Sequence, residues 1–172
     1  MRAEILEGRT PNLYVMHYDM QAWIVRNVIL IPRFALVLSG LECRKPLAPT
    51  ARRAGWVGCN ILLDKIPMDA RIRIIQDGQV ELSRDVRQAY ERLRPLQKLD
   101  AEKRGWTLDV LQVVRSLKKT EFNLADVYGH AEALAKLHPN NFHVRDKIRQ
   151  QLQRLRNIGI IEFLGGGDYR LV

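Results

Sequence analysis

The sequence predicts a mixed α/β region over residues 1–80, a helical connector over 81–104, and a compact α-helical unit closed by a β-hairpin over 105–172. Three observations predict it. β-branched and aromatic runs bounded by turn residues fill the first part. A helical apolar period marks the connector. Three short helical patterns and two strands around a glycine turn fill the last third. Hydrophobic residues at 47% against 27% charged make this a folding composition and not a disordered one.

The first residues read as the end of a helix, and Arg9-Thr10-Pro11-Asn12 as a turn. Leu13–His17 and Trp23–Ile31 read as strands. Arg44 to Asn60 is too rich in Pro, Gly and Arg for a core element. Arg71–Gln76 alternates charged and apolar residues and ends at Asp77-Gly78, a strand followed by a turn. From Leu82 to Leu99, Leu82, Val86, Leu93 and Leu96 recur at helical spacing, with Pro95 expected to end or kink the helix. Asp100–Arg104 reads as a charged linker.

The last third reads as a helix over Thr107–Lys118, a second one capped by Asn123 and ended by Pro139, and a third one capped by Asn141. Gly159 stands where a helix C-terminal glycine belongs. Ile160–Phe163 and Tyr169–Leu171 flank Gly165-Gly166-Gly167 as a hairpin. This order of elements is that of a winged helix-turn-helix.

The net charge of +9 attracts polyanions, either nucleic acid or an anionic membrane surface. The apolar run Val28–Leu38 is interrupted by Pro32 and Arg33 and is too short to span a bilayer. Glu4 and Glu7 argue against a signal peptide. Cys43 and Cys59 form no CxxC pair and have no His at ligand spacing, so free thiols in a reducing cytoplasm are expected, with no metal site. The expected setting is a bacterial cytoplasm, and the expected state a monomer.

The third helix carries two faces. Val144, Ile148, Gln151, Leu155 and Ile158 share one. Arg145, Asp146, Arg149, Gln150 and Gln153 lie opposite, with Asn141 and His143 at its start. Arginine suits guanine O6 and N7, and glutamine suits adenine N6 and N7, in a major groove. Arg170 in the hairpin suits the sugar-phosphate backbone. The alternative is a solvated basic helix with no ligand. A second basic segment combines Arg44, Lys45, Arg52 and Arg53 with Trp56. Trp56 either packs into the core or stays free to touch an apolar group such as an N6-methyl.

Several strings resemble those of the DpnI-type restriction endonucleases, the Dam-replacing family. They are Arg44–Asn60, Gln76–Val80, Arg104–Thr107, Lys147–Gln153, and Ile160–Phe163 with Tyr169-Arg170. The resemblance implies a PD-(D/E)xK nuclease fold with a zinc-binding insertion, followed by a winged helix. It also implies that both domains bind double-stranded DNA at adenine-methylated GATC. It assigns Arg52, Arg53 and Trp56 to the nuclease domain's DNA face and Arg145–Gln153 to the winged helix. The family's catalytic Asp, Glu-x-Lys and zinc cysteines all fall before the point matching Met1. Residues 1–80 are therefore expected to be the C-terminal part of the nuclease domain, with no catalytic residue. Mg²⁺ and structural zinc are implied only for a full-length family protein. Asp19 and Glu42-Cys43-Arg44 imitate the catalytic pattern only loosely, with Arg in place of Lys. A winged-helix transcriptional regulator and a nonspecific DNA binder are the alternatives. If strands are missing, a sheet edge and apolar surface around Val28–Leu38 are expected to be exposed.

Overall fold

The computed structural model describes residues 1–172. Helix α1 (Arg2–Leu6) precedes an antiparallel sheet in the order β1 (Leu13–Asp19), β2 (Ile24–Ile31), β5 (Ile72–Gln76), β6 (Gln79–Val80). Strands β1, β2 and β5 fall where the β-rich runs predicted them; β6 was not predicted. Asp19 shapes the β1–β2 turn by accepting from the Gln21 and Ala22 amides at 3.0 and 2.9 Å. A two-stranded ribbon, β3 (Leu41–Cys43) with β4 (Cys59–Ile61), carries residues 44–58 as a projecting arm. Short 3₁₀ turns join these strands.

Helix α2 (Ser83–Leu93) ends beside Pro95 and continues as a 3₁₀ turn over Arg94–Lys98, as the proline predicts. The expected linker at Asp100–Arg104 is instead the start of α3 (Ala101–Ser116). The Asp100 carboxylate caps the helix by accepting from the Lys103 amide at 2.8 Å, so the charged run is a first turn. Helix α3 thus starts six residues before the expected Thr107. Every residue from Arg104 to Leu111 is buried, because α3 packs against α1, the 3₁₀ turns of the first half and the helices after it.

Strand β7 (Glu121–Asn123) follows, then α4 (Leu124–Tyr128), α5 (Ala131–Leu137), α6 (Val144–Asn157), β8 (Ile161–Gly165) and β9 (Asp168–Leu171). β7, β9 and β8 form one antiparallel sheet. β7 had no sequence signal, since three residues carry no period. Asn123 caps as expected and completes a reciprocal capping box with Asp126. The single second helix is corrected to two, broken at Gly129-His130. The third helix is capped at His143; Asn141 Oδ1 instead accepts from the His143 amide at 2.9 Å. Its C-terminus closes on left-handed Gly159, with Ile160 N donating to Leu155 O and Gly159 N to Arg156 O.

One hydrophobic cluster runs through both halves, from Ile5, Ile31 and Phe34 to Trp106, Leu111, Ile148 and Leu155. Polar clasps cross the same boundary. Asp109 accepts from Ser39 Oγ at 2.6 Å and meets His138 Nε2 at 2.8 Å. Arg115 Nε donates to Asp69 at 2.8 Å, and Gln112 donates to the Asp64 carbonyl at 2.8 Å. The expected exposure around Val28–Leu38 is corrected: Leu30 is buried, and Ile31 and Phe34–Val37 are buried in this cluster. The exposed apolar surface lies on edge strand β1 and its turn, at Tyr14, Met16, Tyr18, Met20 and Trp23.

Candidate nucleic-acid interface

Helix α6 is fixed from below by Ile148, Leu152 and Leu155, each fully buried. Its one buried polar side chain, Gln151, is satisfied: the Thr107 hydroxyl lies 2.9 Å from Gln151 Oε1, and Arg154 donates to the same oxygen at 2.7 Å. A helix held this way presents its opposite face with little freedom. Arg145, Asp146, Arg149, Gln150 and Gln153 are all exposed there, as the two-faced pattern predicted, and His143 is exposed at the N-cap.

The structure adds a support that sequence spacing did not reveal. The guanidiniums of Arg145 and Arg149 sit over the Tyr128 ring, 5.2 and 5.9 Å from its centroid. Tyr128 closes α4, so one aromatic ring orders both arginines from a neighbouring helix. A second residue missed in the sequence is Phe142, 89% exposed in the loop directly before α6. An apolar ring so exposed beside a polar helix face is open to contact from outside the chain. Its only sequence signal was its place between Asn141 and His143.

Arg170 stands apart from this set. Glu121 accepts from its Nε and Nη2 at 2.9 and 2.8 Å, Glu162 lies 3.7 Å from Nη1, and Glu121 holds the guanidinium pKa above its usual value. Two carboxylates of neighbouring strands thus lie against its half-exposed guanidinium. Asn141 is half-buried and shapes the turn into α6.

The arm between β3 and β4 holds the second group. Arg44 N donates to Gly58 O and Leu47 N to Trp56 O, both at 2.9 Å, which extends the ribbon outward. Glu42–Thr50 and Arg52–Val57 are exposed. Arg44, Lys45, Arg52 and Arg53 have no acidic partner. Trp56 is 54% exposed, so it is not a core residue. Its ring lies against Gly58, where a Cβ would stand 3.0 Å from the indole, so a larger residue there would push the ring aside. The arm therefore displays a braced indole between uncompensated cations.

Asp19 and Glu42 lie on different sheets. Asp19 pairs with Arg26 at 3.0 Å, and the Ala22 amide, then Arg26, hold its carboxyl below the usual range. Glu42 accepts from Asn60 at 3.1 Å. No group of three or more His, Cys, Asp or Glu side chains is arranged to hold a metal ion.

Residues 1–99 match the Dam-replacing family, and residues 102–171 match the Dam-replacing HTH domain. The chain belongs to the Dam-replacing family. Its helix-turn-helix part makes DNA its class of partner. The two family regions meet between residues 99 and 102, at the Asp100 cap of α3, whereas the boundary drawn from the sequence at 104/105 falls inside that helix. No helix of this Dam-replacing chain is long and apolar enough to cross a membrane.

Proposed function

We propose that this chain reads adenine-methylated GATC in double-stranded DNA, as the C-terminal portion of a methyl-directed restriction endonuclease. Residues 1–80 are the C-terminal part of a PD-(D/E)xK nuclease fold, and the chain by itself binds without cleaving. The observation that carries this reading is the α6 face, where Arg145 and Arg149 are ordered over Tyr128 on a helix-turn-helix domain. Arg149, Gln150 and Gln153 supply the donors that suit purine edges. Asp146, exposed in the first turn, suits a cytosine amino group. Arg52 and Arg53 contact phosphates, and Trp56 contacts the N6-methyl group.

The testing experiment is a binding titration of the chain against GATC duplexes, fully methylated and unmethylated at adenine. It is run at two salt concentrations, with and without Mg²⁺. Tighter binding to methylated DNA, with no cleavage product on a gel, is the expected result. Equal and steeply salt-dependent affinity for both probes would reduce the chain to a nonspecific basic binder. Mg²⁺-dependent nicking would instead locate a catalytic site within these residues.

A further inference from the structure

Cys43 and Cys59 are sixteen positions apart in sequence, yet they are direct cross-strand partners, with Cys43 closing β3 and Cys59 opening β4. The ladder also fixes the type of pair. Arg44 N donates to Gly58 O at 2.9 Å, which makes 44/58 a hydrogen-bonded pair. Pairs alternate along an antiparallel ladder, so Cys43/Cys59 occupies the narrow position between two hydrogen-bonded pairs. There the Cα atoms stand about 4.5 Å apart and both side chains leave the same face. Disulfides span Cα separations of about 4.4–6.8 Å. Both thiols are free, Cys43 is exposed, and Cys59 is half-buried.

We propose that Cys43 and Cys59 are a modification site: a reversible intramolecular disulfide that fastens the root of the arm carrying Arg52, Arg53 and Trp56. The oxidant is a low-molecular-weight disulfide such as oxidised glutathione. The exposed Cys43 sulfur, as thiolate, attacks it; one S–S bond breaks, a Cys43–glutathione mixed disulfide forms, and one glutathione leaves. The Cys59 thiolate then displaces the second glutathione from Cys43. The two thiol protons end on the two glutathiones released, so one disulfide is consumed and one is formed. The ribbon has three strand pairs, continued outward by the Arg44–Gly58 and Leu47–Trp56 bonds, and adjoins no other strand, and so short a hairpin is marginal without further support. A covalent tie at the root of the arm restrains what projects beyond it, whatever the arm binds.

The test is to hold the full chain in glutathione buffers of rising oxidising poise. Intact mass is read together with peptide mapping and amide exchange. The expected result is the loss of two hydrogens per chain, a Cys43–Cys59 cross-linked peptide, reversal by dithiothreitol, and several-fold slower exchange at Arg44, Leu47 and Gly55. In Cys59→Ser the glutathione adduct on Cys43 is expected to persist, because the resolving thiol is gone; Cys43→Ser checks the other partner. Stable adducts on both cysteines of the unmodified chain, or cross-links only between two chains, would overturn the proposal. A cross-link that leaves arm exchange unchanged would overturn the restraint.

Discussion

The two halves of this molecule reach order by different means. After the wing strand Glu121–Asn123, the C-terminal half closes its ends locally: a capping box at Asn123 and Asp126, a left-handed glycine after α6, and a three-glycine turn between β8 and β9. The first 80 residues have few such devices. They rely on short strands, 3₁₀ turns and a two-stranded ribbon, and they display thirteen of the nineteen exposed large hydrophobic side chains. What unites the halves is α3, buried from Arg104 to Leu111 and shared by both. Local closure gives α6 a firm seat. Non-local closure leaves an arm whose position depends on one short two-stranded ribbon.

The strongest way to break this comparison is to remove the shared element. Trp106 is 1% exposed, stacks on His138 at 3.9 Å between ring centroids, and borders a cavity of ≈ 330 Å³ lined from both halves. Trp106→Ala is expected to cost about 3–5 kcal/mol. Native-state hydrogen exchange on this variant checks the coupling. Protection should fall on both sides of residue 100, and more steeply before it. A loss confined to the C-terminal half would show that the first half stands on its own core.

The next comparison sets the reading helix against the arm. Arg149→Ala should weaken binding to methylated GATC by about 1–3 kcal/mol if the guanidinium meets a base. Trp56→Ala should act differently, lowering the preference for methylated over unmethylated duplex more than it lowers total affinity. Paired titrations of the two variants separate these roles. A Trp56→Ala chain that keeps full methyl preference would move methyl sensing to the α6 side, where Phe142 is the exposed ring.

Regions legible in the sequence were those whose order is local. Strands β1, β2 and β5 followed from β-branched runs, and the two faces of α6 from helical period. Asp100–Arg104 misled because its charges read as a linker, although Asp100 is the N-cap that starts a buried helix. The cross-strand meeting of Cys43 and Cys59, the Ser39–Asp109–His138 clasp and the placing of Tyr128 beneath two arginines were not legible. Each joins residues through the fold, and neither period nor composition records such contacts. The candidate arginines and glutamines of α6 were legible as a face. Arg170 was not, because its two carboxylate partners come from other strands.

The smallest effect concerns the local closure itself. Asn123 pairs with Asp168 of β9 while capping α4, so it ties the wing sheet to the helix that ends in Tyr128. Asn123→Ala is expected to cost about 1 kcal/mol. Its partner Asp126 makes the closure sensitive to acid. The hydrogen bond from Lys119 at 2.8 Å, followed by that from the Asn123 amide, holds the Asp126 carboxyl below its usual range. An unfolded aspartate titrates near about 3.9. A carboxyl with a depressed folded pKa contributes stability that is full above that unfolded value and is lost as pH falls through the folded one. Urea unfolding of the chain and of Asp126→Asn, from neutral pH downward, checks this. The gap between their midpoints should be constant near neutrality and close below about pH 4. A gap that stays constant into acid would mean that the box is held by Asn123 alone, with the carboxylate making no difference to the closure that positions Tyr128 and its two arginines.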